Sequence, residues 1–178
     1  NYSNFFEAHI LLVLDSLKKD NIDKTLKIIT VIPEHFLKDR FNYIIINSLK
    51  QYIYVFKNKK ISKENKDFGN LSLITKTFQK CYLGDKNTSS FFLQLINSSE
   101  ADYSRYIYFY LTYLIENNQI EEAKVITNQL DYISTTLLLS QGKSWIENNE
   151  LNKFNEVFSC SNHNNVLGEF LFLISNLY

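Results

Sequence analysis

The segment Asn118-Gln119-Ile120-Glu121-Glu122-Ala123-Lys124-Val125 constrains the fold of this chain more than any other feature. It lies between two amphipathic stretches. It is echoed one repeat length later at Asn149-Glu150-Leu151-Asn152-Lys153-Phe154-Asn155-Glu156. Self-similarity at such a period marks stacked helical hairpins. One hairpin alone cannot bury both of its apolar faces, so successive hairpins must cover one another. Turn formers agree with an all-α reading. The 178 residues contain 4 glycines and 1 proline, too few for the many tight turns of a β-sandwich or a doubly wound sheet. A hydrophobic content of 45% over this length suits one domain with a sizeable core.

Apolar spacing places the helices. Residues 5–17 carry Phe5, Phe6, Ile10, Leu11, Leu12, Val13, Leu14 and Leu17 and predict a mostly buried helix. Asp20-Asn21 ends it, and a second helix spans 22–32. Pro33 opens a third at its N1 position, predicted over 34–56. Residues 57–67 are polar and lysine-rich and read as a charged linker between two sub-blocks of a single domain, 1–178. Further helices are predicted over 71–82, 91–96, 101–116, 120–130, 132–147, 151–158 and 164–178. Gly84 is the C′ residue of the first of these. Asn87 to Ser90 cap the second, and Ser99 to Asp102 resemble a capping box for the third. Asn117-Asn118 and Asn148-Asn149 fill two hairpin turns, where asparagine tolerates the left-handed conformation.

These residues resemble the tetratricopeptide repeat, a helix pair of about 34 residues with a glycine before the second helix and a small residue in its first turn. Asn118 stands at the glycine position and Ala123 at the small one. In the next copy those positions are Asn149 and Phe154, with Phe158 at the large position and Gly142 and Trp145 on the first helix. Ala123 and Phe154 are 31 residues apart. The first hairpin matches through Asp20 to Leu26, with Thr25 at the small position, Ile29 at the large one and Pro33 near the usual terminal proline. The match covers roughly half the chain, 5–33 and 101–158. It implies antiparallel hairpins stacked as an α-α superhelix, a divergent and bacterial TPR-like solenoid, with a concave surface for a guest.

Little else in the chain points to chemistry. Net charge is zero, from 19 basic and 19 acidic residues, so nothing global favours nucleic acid or an anionic membrane. No apolar run is long enough to span a bilayer. The first residue is asparagine and no methionine is present, which suggests a fragment or a processed chain. Cys81 and Cys160 read as two reduced, buried thiols; a disulfide would need their Cα atoms within roughly 7 Å. His9, His35 and His163 are isolated, with no metal-ligand spacing. Glu121-Glu122 read as first-turn acids stabilising a helix N-terminus rather than a catalytic pair. The four glycines form no phosphate-cradling loop. No catalytic, cofactor or metal residue is therefore assigned.

Two features invite a functional reading. Tyr103, Tyr106, Tyr110 and Tyr113 share one helix face, within a run that also holds Tyr108 and Phe109. That face is either core or a ladder lining a groove. Lysines of 57–66 beside Tyr52, Tyr54 and Phe56 could serve single-stranded nucleic acid, but Glu64 and Asp67 dilute the charge and a solvated linker is preferred. The reading that follows is a non-enzymatic scaffold, cytoplasmic or periplasmic, that holds a protein or peptide on a concave surface. Tyr106, Tyr110, Asn117 and Trp145 are the candidate contacts. The alternative is the helical non-catalytic domain of a cell-envelope enzyme such as a lytic transglycosylase.

Overall fold

A computed structural model describes residues 4–63, 66–97, 105–130 and 136–176. Among the described residues the regular structure is entirely helical: α1 (Phe6–Lys18), α2 (Ile22–Thr30), a 3-10 helix (Glu34–Lys38), α3 (Arg40–Asn58), α4 (Asn70–Leu83), α5 (Thr88–Ile96), α6 (Arg105–Glu116), α7 (Ile120–Asn128), α8 (Leu137–Glu147), α9 (Asn152–Val157) and α10 (His163–Ser175).

The same turn recurs after four of these helices. Asp20 (φ 55°), Gly84 (φ 62°), Asn118 (φ 58°) and Asn149 (φ 57°) each adopt the left-handed conformation. At each, two backbone bonds close the helix. After α1, the Asp20 N–H donates to the Leu17 carbonyl at 2.9 Å and Asn21 N–H to Ser16 at 3.0 Å. After α4, Gly84 reaches Cys81 at 3.1 Å and Asp85 reaches Lys80 at 3.0 Å. After α6, Asn118 reaches Ile115 at 3.1 Å and Gln119 reaches Leu114 at 2.8 Å; after α8, Asn149 reaches Ile146 at 3.3 Å and Glu150 reaches Trp145 at 2.8 Å. These are Schellman pairs, which satisfy the last carbonyls of a helix and reverse the chain. Along the sequence 64 residues separate the first turn from the second, 34 the second from the third and 31 the third from the fourth.

Several boundaries differ from the sequence reading. The predicted helix over 34–56 is two elements, because Asp39 is extended and its carboxylate accepts the Asn42 N–H at 2.9 Å. That cap starts α3 afresh and leaves residues 34–38 as a 3-10 turn. α5 begins at Thr88 rather than Phe91, and the Asn87 side chain makes no cap bond. Asp85 organises that start instead: its carboxylate accepts the Asn87 N–H at 2.8 Å and its carbonyl accepts the Thr88 hydroxyl at 2.6 Å. α8 begins at Leu137 with Thr136 as N-cap, its hydroxyl accepting the Leu139 N–H at 3.3 Å. The capping box at 99–102 and the first aromatic, Tyr103, lie outside the described residues.

The chain divides into two compact units, 1–75 with 167–178, and 76–166. In the first, α1 packs on α2, α2 on α3, and α3 on the 3-10 turn. Val13, Leu17, Ile29, Ile46, Leu49 and Ile53 form the buried core, and the Tyr52 ring meets Phe56 at 6.0 Å and Phe170 at 5.4 Å. α1 departs from its expected burial. Phe6, Val13 and Leu17 face inward, whereas Phe5, Leu11 and Leu12 are exposed. Described residues at either end of the predicted linker are tied down at several points. Lys57 pairs with Asp23 at 2.6 Å, Gln51 donates to the Lys66 carbonyl at 3.1 Å, and the Lys66 ammonium bonds the Tyr43 hydroxyl and sits 4.5 Å from its ring centre.

In the second unit α6 is the central rod, touching α5, α7, α8 and α9. Every residue from Tyr108 to Ile115 is buried. A helix apolar on all sides belongs inside a unit, not on its wall. Opposite it, α9 brings Phe154, fully buried, between the rings of Tyr108 (5.6 Å) and Trp145 (5.4 Å). Gly142 on α8 makes room for the Phe154 ring. A Cβ at Gly142 would stand 3.2 Å from the Tyr108 ring and 3.3 Å from that of Phe154.

The two cysteines correct the sequence reading. Cys81 and Cys160 are joined as a disulfide, not kept as free thiols, with Cα atoms 5.3 Å apart. The bridge ties α4 to the stretch between α9 and α10. A sequence separation of 79 residues hides such a pairing from any local pattern.

Candidate interaction surfaces

The four residues singled out as partner contacts divide sharply. Tyr106, Tyr110 and Trp145 are buried. Tyr106 lies 5.9 Å from Phe78, and Tyr110 stacks on Phe92 at 5.4 Å and on Tyr113 at 6.4 Å. Trp145 packs edge-on against Phe154. The aromatic face of α6 is thus core, and the ladder reading of Tyr106 and Tyr110 is corrected. The five aromatics of α6 find enough neighbours to cover all of them. Burial raises the proton affinity of these phenols. It pushes Tyr108 to about 12. It also moves Tyr110 upward, opposed by a hydrogen bond with Ser89 and assisted by the negative charge of Glu122.

Asn117 alone of the four is exposed. Its amide donates to the Tyr113 carbonyl at 2.8 Å, as the Asn148 amide does to the Ser144 carbonyl at 2.9 Å in the next hairpin. Both asparagines complete the last turn of a helix, which is work internal to the chain.

The titratable groups considered from sequence are dispersed. His9 and His35 both pack against the Phe36 ring, at 5.6 and 4.1 Å. Glu121 pairs with Lys124 at 2.8 Å, and Glu122 accepts from the Gln119 amide at 3.0 Å, so both serve the first turn of α7. Among the described residues no group of three or more His, Cys, Asp or Glu is placed to hold a metal ion. No described helix is long and apolar enough to cross a membrane.

Two clefts of the first unit bear on binding. One, of about 370 Å³, is lined by Tyr54, Lys60, Ile61, Ser62 and Lys63. Tyr52 and Phe56, the other aromatics of this segment, are buried, which leaves Tyr54 to stack on anything bound there. The other, of about 220 Å³, is walled by Phe6, Ile10, Leu11, Ile45, Leu171 and Ile174, with Glu7 at its edge. Apart from Glu7, its lining side chains are apolar. Leu11 in its wall is 65% exposed, and Phe5, 71% exposed, immediately precedes α1. Sequence reasoning missed this cleft. Its signal was present: α1 is apolar around most of its circumference, more than one core face requires.

No protein-family model, no curated protein and no solved structure matches the chain.

Proposed function

We propose that this chain is a binding scaffold of the TPR-like kind, holding a protein or peptide segment by apolar contact rather than turning over a substrate. The apolar cleft between Phe6, Ile10, Leu11, Ile45, Leu171 and Ile174 carries this reading. A pocket whose one ionisable lining residue is Glu7 gathers no set of groups for reaction, but its apolar walls suit an aliphatic or aromatic side chain of an amphipathic helix laid along α1. The recurrence of one turn geometry at intervals of 31 and 34 residues supports the repeat architecture, in which α6/α7 and α8/α9 are successive hairpins of a superhelix. The contact of α6 with α8 is the stacking that such an order requires.

Leu11→Glu tests the proposal. Leu11 is exposed, so the substitution should leave helicity and unfolding unchanged, within about 0.5 kcal/mol. It should abolish retention of whatever amphipathic segment the unaltered chain retains in a peptide-array binding assay. Equal retention by both chains would refute the role of the cleft.

A second reading keeps the same architecture as the helical non-catalytic part of a cell-envelope enzyme. The disulfide favours it, because such bridges persist in oxidising compartments.

A further inference from the structure

Two half-cystines buried inside one unit raise the question of when their bond can form or break. Cys81 is 4% exposed and Cys160 is 2% exposed. Their Cα separation of 5.3 Å falls within the range a disulfide spans without moving the backbone. Exchange needs a thiolate to approach a sulfur, and cysteines this deeply buried give one little access. Cys81 sits on α4 one turn beyond Phe78, whose ring touches Phe92 (6.0 Å), Phe109 (5.3 Å) and Phe158 (5.8 Å). Cys160 lies two residues past Phe158, which in turn meets Phe109 at 4.6 Å. The bridge therefore joins two segments that each supply a phenylalanine to the aromatic cluster of this unit, and both its cysteines are buried.

We infer that the Cys81–Cys160 bridge is a redox lock on the second unit, closed by an oxidant while the unit is open and withdrawn from reductant once the unit has packed. Closure is thiol–disulfide exchange. One cysteine thiolate attacks a disulfide of the oxidant, either a disulfide-carrying oxidoreductase or a small disulfide such as oxidised glutathione. It forms a mixed disulfide and releases one thiolate. The second cysteine thiolate then attacks the protein sulfur of that intermediate and releases the other. Two protons leave the protein and two electrons pass to the oxidant, which ends as two thiols. The stretch between α9 and α10 gains most from the lock. It is held by Phe158, by the Ser159 N–H donating to the Asn165 side chain at 3.1 Å, and by little regular structure. Beside the bond, Phe158 packing on Phe78 at 5.8 Å also ties it to α4.

The lock makes stability depend on redox state. The bond closes a loop of 79 residues, and a cross-link of that span constrains the unfolded chain strongly. Reduction of the intact chain should lower its thermal midpoint by roughly 10 °C. The test uses the full chain, oxidised, with iodoacetamide and mass spectrometry as the thiol readout. No cysteine should label in native buffer, with or without dithiothreitol, and both should label once urea is added with dithiothreitol. The paired variant Cys81→Ser with Cys160→Ser should show the low midpoint with and without reductant. If that variant does not fold, unaltered chain reduced in urea and returned to buffer with dithiothreitol supplies the same comparison. Labelling of both cysteines in native buffer without reductant would overturn the inference. So would rapid reduction of the packed chain, or a midpoint unmoved by reduction.

Discussion

Replacing Phe154 with alanine removes the largest side chain of α9 from a site where nothing nearby can fill the space. Phe154 is fully buried between Tyr108 and Trp145, and the residue it faces on α8 is Gly142, which has no side chain to move. Phenylalanine-to-alanine changes in cores cost about 3–5 kcal/mol, more where the surroundings cannot collapse. Two ring contacts at 5.6 and 5.4 Å are lost as well. The upper half of the range applies, about 4–5 kcal/mol, which for a chain of this length lowers the thermal midpoint by roughly 10–15 °C. Gly142→Ala supplies the reciprocal arm. A Cβ there stands 3.2 Å from Tyr108 and 3.3 Å from Phe154, so two packed rings must shift, and this offsets the gain of about 1 kcal/mol from alanine in a helix. With Phe154 already truncated, one of those rings is gone and the methyl group partly refills the void. Gly142→Ala should then stabilise, giving a coupling of about 1 kcal/mol or more between the two positions. Urea unfolding followed by circular dichroism at the helical band measures all three variants. A cost below about 1.5 kcal/mol for Phe154→Ala, or additive effects of the two changes, would refute the view that the glycine and the phenylalanine are one packing unit.

The hairpin turns and the buried phenols give further outcomes. Asn118 is left-handed, so Asn118→Val should destabilise by about 1–2 kcal/mol while Asn118→Gly is neutral or slightly stabilising, as read from denaturant midpoints. Neighbouring Asn117→Ala should cost less, about 1 kcal/mol, since the change removes one part-buried side-chain hydrogen bond and leaves the backbone conformation unstrained. Tyr108 carries a folded-state pKa raised from 10.0 to about 12, so the unfolded chain releases this proton first. Stability from this group is complete below pH 10 and is lost as pH rises towards 12. Tyr110 shifts in the same direction. A urea midpoint that falls between pH 10 and 12 and falls less steeply in Tyr108→Phe would match this; an unchanged slope in that variant would contradict it.

Helical identity was legible in the chain because turn formers are scarce and each turn carries its own signal. Asn118, Asn149 and Gly84 were placed at reversals from residue type alone, and all three are left-handed. The break at Asp39 was hidden, because apolar spacing continues through it and only the side-chain bond to Asn42 marks a new helix. Burial of α6 on every side was also hidden. Periodicity identifies one core face, but the number of neighbouring helices is decided by packing between distant segments. The same limit concealed the pairing of Cys81 with Cys160 and the cleft beside α1, whose walls come from α1, α3 and α10.

The bond between Cys81 and Cys160 also makes that stretch of chain a covalent ring. A protease that cuts once anywhere inside the ring leaves both pieces attached, heavier by one water and otherwise undivided. Cleavage there would pass unseen on a gel run without thiol and appear as two bands with it. A single cut outside the ring would release a fragment under either condition, so the two gels together sort nicks by their position relative to the bridge.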